Sequence, residues 1–218
     1  MNIGFIGLGA LGSNLARRFL AAHTLTVFDL DPPAMDRLAT AGASAARTPA
    51  ELARSCDVVL LCLPRSSDVE QAIFGPAGLG ETLTPGLTPG KLVIDQTSGV
   101  PNETRAMAAR LGQRGVAMID AAVSGSPQLE LQGGATLMAS GPAEAYAKAP
   151  PVLQVITPTV DRCGARVGDG QAMKMVNNTM NCGCRLGTLE VVAMGHRLGL
   201  SLEAMRDTLN SGDARNQT

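Results

Sequence analysis

The chain has 218 residues, 45% of them hydrophobic, and its formal net charge is −1. That much apolar side chain can fill a core, and so balanced a charge creates no global field toward nucleic acid or anionic lipid and argues against disorder. No apolar run approaches the ~18 residues a membrane helix needs, and Ile3-Gly4-Phe5-Ile6 follows Met1-Asn2 directly, so the expectation is a cytoplasmic protein with no leader and no membrane partner.

Short apolar strands alternate with helical stretches through the first half, the pattern of a mostly parallel sheet covered on both faces. Strand 3–6 leads into Gly7-Leu8-Gly9-Ala10-Leu11-Gly12 and a helix reaching about Ala22. Strand 25–28 closes on Asp29; Asp31-Pro32-Pro33 then supplies a cap and a first-turn proline for a helix ending near Gly42. Thr48-Pro49-Ala50-Glu51 reads as a capping box that opens the next helix. Residues 58–63 are uniformly apolar, as a central strand buried on both faces should be, and Pro64 terminates them. A loop-rich stretch, 75–90, precedes strand 91–95, a helix at 101–112 and a strand at 116–119 ended by Asp120. Strands at 135–140 and 162–167 are expected to flank a helix at 143–155.

From Gln171 to Leu198 there is no proline. As a helix this stretch would run roughly 42 Å at 1.5 Å per residue, too long to cover one face of a small sheet. The expected architecture is therefore an α/β, Rossmann-type, doubly wound domain over residues 1–168. Residues 169–218 then form a long helix and the start of an all-helical C-terminal domain, continued by a short helix after Ser201. Cys56, Cys62, Cys163, Cys182 and Cys184 are an odd, scattered set, unlike a disulfide framework. Cys182 and Cys184 point to different faces of a helix, and His23 and His196 fit no ligand spacing, so no metal site is expected.

The string Gly7-x-Gly9-x-x-Gly12 between a strand and a helix is the context a dinucleotide fingerprint requires. Gly7 would make the tight turn, Gly9 would let the backbone approach a pyrophosphate, and Gly12 would allow close helix–strand packing. The helix N-terminus, at Ala10 and Leu11, then offers unpaired N–H groups to the phosphates. Asp29, at the end of the second strand, is placed to accept both ribose hydroxyls. An acid there repels a 2′-phosphate, so NAD is favoured over NADP. Asp31 reads as the helix cap.

Taken in order, four segments resemble the β-hydroxyacid dehydrogenases of the 3-hydroxyisobutyrate dehydrogenase and tartronate semialdehyde reductase type. They are Ile3-Gly4-Phe5-Ile6 with the glycine string; Asp95-Gln96-Thr97-Ser98; Asp120-Ala121-Ala122-Val123-Ser124-Gly125-Ser126 with Gly133-Gly134; and Gly168-Asp169-Gly170-Gln171-Ala172-Met173-Lys174-Met175-Val176-Asn177-Asn178, a GxGxxxKxxxN stretch. The resemblance implies oxidation of a small 3-hydroxy acid by hydride transfer to NAD, with Leu63, Pro64 and Thr97 near the cofactor. It also implies that Ser124, Gly125 and Ser126 bind the substrate's carboxylate, and that helical domains pair into a homodimer or homotetramer.

Lys174 and Asn178 are four residues apart, so both project from one helix face. A lysine beside an oxidised nicotinamide meets a like charge and partial desolvation, both of which favour its neutral form. That suits a group exchanging a proton with the substrate hydroxyl, with Asn178 donating to the same oxygen. Ser124 and Gly125 follow a strand, where a hydroxyl and exposed N–H groups can hold a carboxylate. Ser126, Pro127 and Leu129-Glu130 depart from the family's common residues, so a different substrate shape is expected. Thr218 lies well short of the family's usual length, so only the beginning of the helical domain is expected. An imine reductase of related fold and a non-catalytic dinucleotide-binding scaffold are the alternatives; Lys174 argues against both.

Overall fold

Eight strands form one sheet in the order β3-β2-β1-β4-β5-β6-β7-β8. They are β1 (Asn2–Ile6), β2 (Thr24–Phe28), β3 (Ser44–Ala45), β4 (Val58–Leu61), β5 (Leu92–Asp95), β6 (Ala117–Ser124), β7 (Thr136–Ser140) and β8 (Thr159–Gly164). All neighbours run parallel except β6 and β7, which pair antiparallel. The computed structural model describes residues 1–75, 82–125, 134–212 and 214. The chain divides into two compact units, Met1–Lys174 and Met175–Thr218.

Both faces of the sheet are covered, as the unbroken apolar strands require. On one face Ile3, Phe5, Leu60 and Ile94 pack with α1 (Ala10–Phe19) and α7 (Pro150–Ile156); the rings of Phe5 and Phe19 lie 6.3 Å apart. On the other, Val59, Leu61 and Val93 meet α3 (Pro49–Ser55), α4 (Ser66–Phe74) and α5 (Pro101–Gly112). The capping box forms in part. Thr48 Oγ1 accepts from Glu51 N at 3.1 Å, while the Glu51 carboxylate accepts from Arg47 N at 3.0 Å, one residue before the cap. Asp31 does stand at the N-cap of α2 (Pro32–Thr40), but its side chain makes no capping bond there.

The register of the sheet sets up everything that follows. Reading across the strands, Phe28, Ile6, Leu61, Asp95, Asp120, Ser140 and Gly164 are successive partners in one row. Residues in one row of a sheet share a face. The row is apolar on the β2-β1-β4 side and carries buried polar side chains at Asp95, Asp120 and Ser140.

Several elements differ from expectation for physical reasons. β4 ends at Leu61, so Cys62 and Leu63 have already left the sheet. α4 was not foreseen, since Val69 and Ile73 are its only long apolar side chains fully turned inward. β6 does not stop at Asp120 but runs through it to Ser124, because partners distant in sequence satisfy that buried carboxylate. The single helix expected at 143–155 is two, α6 (Ala143–Tyr146) and α7, with Pro150 restarting the helix. β8 lies earlier than 162–167, and β3 is a two-residue edge pairing without a sequence signal.

The long helix α8 (Asp169–Arg197) extends from the first unit into the second. In the second unit, Gly199 turns the chain at φ +86°, Leu200 N bonds Gly195 O at 3.1 Å, and Ser201 caps α9 (Leu202–Ser211). Met205 packs so close to Gly195 that a Cβ there would strike its sulfur. Among the described residues no helix is long and apolar enough to cross a membrane.

Candidate functional site

At the end of β1 the chain turns sharply at Gly7, whose φ of +94° is a conformation L side chains rarely adopt. Its N–H bonds Phe28 O at 3.2 Å, and a Cβ on it would be driven into the carbonyl oxygen of Cys62. Gly12 sits just as tightly, since a Cβ there would overlap Gly7 O. Gly9 is the opposite case: a Cβ would meet nothing within 4 Å. Two glycines are thus demanded by the fold, while the third faces open space. Gly9 is also the N-cap of α1, with no capping side chain and no acid in the first turn. The unpaired N–H groups and positive dipole end of α1 are therefore available to an anion.

Asp29 closes the turn from the other side. Its carboxylate accepts from Leu8 N at 2.5 Å and from Asp31 N at 2.8 Å, which ties the end of β2 to the glycine turn. A cleft of about 650 Å³ lies over these groups, and Gly7, Leu8, Gly9, Ala10, Leu11, Gly12, Asp29, Leu63 and Pro64 all border it. Arg65, which the sequence did not single out, is also in its wall, 3.3 Å from Asp68. Thr97 is 1% exposed, and its hydroxyl accepts from Leu63 N at 3.1 Å. Its side chain therefore braces the cleft wall instead of facing the cleft.

The polar half of the sheet row receives the start of α8. Asp120 accepts from Gly168 N at 2.6 Å, from Gln171 N at 2.8 Å and from the Ser140 hydroxyl, and Ser140 Oγ in turn accepts from Gly170 N at 2.8 Å. Arg105 of α5 adds an ion pair to Asp169 at 3.0 Å. The first-turn donors that a helix leaves unpaired are here satisfied by the sheet. Asp95, fully buried, accepts from Thr97 N at 2.9 Å and from the Gln171 amide at 3.0 Å.

Burial pushes Asp95 up to about 7, against the lowering bonds from Thr97, and burial also raises Asp120. Between about pH 4 and 7 the folded chain holds a proton at Asp95 that the unfolded chain has released. Asp95 thus contributes stability that is fully present below pH 4 and lost as pH rises through 7, with a slope of at most about 1.4 kcal/mol per pH unit. Asp120 acts with the same sign. We expect the urea midpoint to fall from pH 5 to 7.5, and Asp95→Asn to flatten that fall; equal slopes in both proteins would refute the assignment.

Residues 2–164 match the family described as the NAD binding domain of 6-phosphogluconate dehydrogenase. Residues 168–218 match the one described as NAD-binding of NADP-dependent 3-hydroxyisobutyrate dehydrogenase. The chain is 37% identical to an L-threonate dehydrogenase of Cupriavidus necator over 209 residues, covering 95% of this chain and 69% of the relative. The chain belongs to the β-hydroxyacid dehydrogenase family. An NAD-dependent L-serine dehydrogenase of Pseudomonas aeruginosa is 35% identical over 98% of this β-hydroxyacid dehydrogenase and 70% of its own length. Among solved structures, Mycobacterium tuberculosis 3-hydroxyisobutyrate dehydrogenase with L-serine superposes with a TM-score of 0.87 at 26% identity, covering 99% of this chain and 72% of that one. An imine reductase from Myxococcus stipitatus with NADP+ gives 0.84 at 26% identity, over 96% and 71%.

Within the dehydrogenase, Lys174 is half-buried on α8, one turn beyond Gln171. Asn178 is exposed, one turn further along the same helix, in the second unit. Ser124 is the half-buried last residue of β6, and Gly125 beyond it is exposed. Ser126, Pro127, Leu129 and Glu130 lie outside the described residues. Sequence reasoning missed the buried residues Asp95, Ser140 and Gln171 as parts of the site's frame. Ser140 offered only polarity at a strand end, whereas Asp95 and Gln171 also stand inside the family-like segments.

Proposed function

We propose that this β-hydroxyacid dehydrogenase interconverts a small 3-hydroxy acid and its semialdehyde or keto acid, using NAD, with Lys174 as general acid and base. One observation carries the reading. A single row of sheet residues leads from Ile6, immediately before the glycine turn, to Asp120, which holds the start of the helix bearing Lys174.

The residues present fit a dinucleotide: the space over Gly9 is open where a pyrophosphate must approach, and Gly7 and Gly12 leave no room for side chains. Gly7, Gly9 and Gly12, with the N–H groups of Ala10 and Leu11, would hold the pyrophosphate, and Asp29 the ribose. Asp29, fixed by two N–H groups, disfavours a 2′-phosphate, and the similarity to an NAD-dependent relative supports the same choice. NAD, when bound, supplies the hydride acceptor. Lys174 takes the hydroxyl proton during oxidation and returns it to the carbonyl during reduction. Asn178 is assigned from the motif's spacing as a donor to that same oxygen. Ser124, Gly125 and Ser126 hold the carboxylate, which orients the carbon to be oxidised.

We further propose a homodimer or homotetramer in the cytoplasm. Its support is the run of exposed apolar side chains on α8, among them Val176, Met180, Leu186 and Leu189, and the bacterial relatives.

The test follows NADH and NADPH absorbance with semialdehyde acids, with 3-hydroxy acids in reverse, and with ketone-plus-amine mixtures. We expect turnover with the acids and NADH, and at least tenfold lower kcat/KM with NADPH. Turnover confined to ketone-plus-amine mixtures would make the protein an imine reductase. NADH binding with no turnover on any of them would make it a scaffold.

A further inference from the structure

Gln171 is only 1% exposed, and its side chain bridges two segments. Its amide nitrogen donates to Asp95 Oδ2 at 3.0 Å and to the carbonyl oxygen of Thr97 at 3.2 Å, while its backbone N–H donates to Asp120 at 2.8 Å. Thr97 in turn accepts from Leu63 N at 3.1 Å, and Leu63 borders the cleft above the glycine turn. A continuous hydrogen-bonded path thus runs from the cleft wall through Thr97 to Gln171. Lys174 follows three residues later, about 4.5 Å along the helix axis. Gly99 makes room for the bridge, since a Cβ there would lie 2.8 Å from the Gln171 amide nitrogen.

The residue type suits the task. Asp95 Oδ2 and Thr97 O are both acceptors, so the group between them must donate twice from one atom. A neutral NH₂ does this without bringing a charge to two buried acids; an ionised glutamate donates nothing, and an ammonium would add charge. The amide's own oxygen meets no hydrogen-bond partner among the described residues, so the bridge is held by its donors alone.

We propose that Gln171 is the positioning residue of this site, setting where the Lys174 amine stands relative to the cofactor-side wall at Leu63 and Thr97. The proposal rests on the reading of Lys174 as the acid/base group. Misplacing a reacting group by about 1 Å can cost on the order of 100-fold in rate, so loss of the bridge acts on kcat and leaves dinucleotide affinity alone.

The experiment uses the full chain and three proteins: Gln171→Met, which keeps length and removes both donors; Gln171→Glu; and Gln171→Glu with Asp95→Asn, which exchanges donor and acceptor. Gln171→Met is expected to lower kcat roughly tenfold or more, with the Kd for NADH from fluorescence titration changed less than about twofold. Without cofactor, its amides at residues 97–99 exchange hydrogen faster than those of the parent. Gln171→Glu falls at least as far, and the exchanged pair, which restores the bond to residue 95 but not the one to Thr97 O, recovers part of the lost kcat. Parental kcat or parental exchange in Gln171→Met overturns the proposal, as does a fall in NADH affinity matching the fall in kcat. Should Gln171→Met fail to fold, Gln171→Glu and the exchanged pair decide: partial recovery of the pair over Gln171→Glu supports the bridge, and parental kcat in Gln171→Glu overturns it. The reading beneath fails separately. Undiminished turnover in Lys174→Ala removes that lysine from the chemistry, whereas loss there with parental kcat in Gln171→Met defeats only the positioning role.

Discussion

Lys174→Ala is expected to lower turnover by roughly 10²- to 10⁴-fold, the range general acid–base groups contribute, while NADH affinity changes less than about twofold. The separation follows from where the side chain stands. The contacts that seat α8 come from Gly168, Gly170 and Gln171, all before Lys174, so truncating the lysine leaves them intact. The dinucleotide cleft is bounded by the glycine turn, Asp29, Leu63 and Pro64, which the substitution does not touch. Lys174→Arg should be nearly as impaired despite keeping the charge, because a guanidinium does not give up its proton in the working pH range. The measurements are kcat with a semialdehyde acid, fluorescence titration with NADH, and the thermal midpoint. Parental turnover in either variant would sink the assignment.

Gly12→Ala is the second large effect, and it falls on stability and cofactor together. The new methyl group is driven into Gly7 O, with the Phe5 ring 3.4 Å away on another side. Gly7 cannot yield, because Cys62 O occupies the space beside it where a Cβ would stand and its N–H is bonded to Phe28 O. α1 must therefore lift from β1, and we expect a loss of about 2–4 kcal/mol, at the upper end for overpacking, with NADH affinity down at least tenfold. Gly9→Ala supplies the contrast. Its methyl group enters open space, so stability should change by less than about 1 kcal/mol while NADH affinity still falls. Equal destabilisation by the two substitutions, measured by urea unfolding, would refute the division of labour among the glycines.

Constraints that act over a few residues were legible in the sequence. The glycine turn and Asp29 could be read because each glycine answers to a neighbour in the same strand–turn–helix unit, and Thr48 with Pro49 announced α3 for the same reason. What escaped is what depends on partners far along the chain. Asp120 looked like the end of a strand because an acid inside an apolar run ordinarily marks one. Only the hydroxyl of Ser140 and the N–H groups of Gly168 and Gln171 make it an interior residue. Thr97 is expected near the cofactor by resemblance, but the bond its hydroxyl accepts from Leu63 N, 34 residues back, has no local signal. Lys174 was singled out correctly as a helix residue, but nothing local to it reveals that two buried acids hold the preceding turn. α4 was invisible for a different reason: with only Val69 and Ile73 as long inward side chains, a nine-residue helix has too short a stripe to stand out.

The buried row across the sheet also bears on how the chain comes together during synthesis. Asp95, Asp120 and Ser140 all leave the ribosome before Gly168, Gly170 and Gln171, so the acceptors are made first and wait for donors 30 to 76 residues downstream. A nascent chain halted after Ser140 would hold Asp95 with Thr97 N and Asp120 with the Ser140 hydroxyl, both still short of the donors that Gly168 and Gln171 bring, and such a state resists closing. Final locking of this part of the molecule therefore waits until the start of α8 has been made and its N–H groups reach those acceptors.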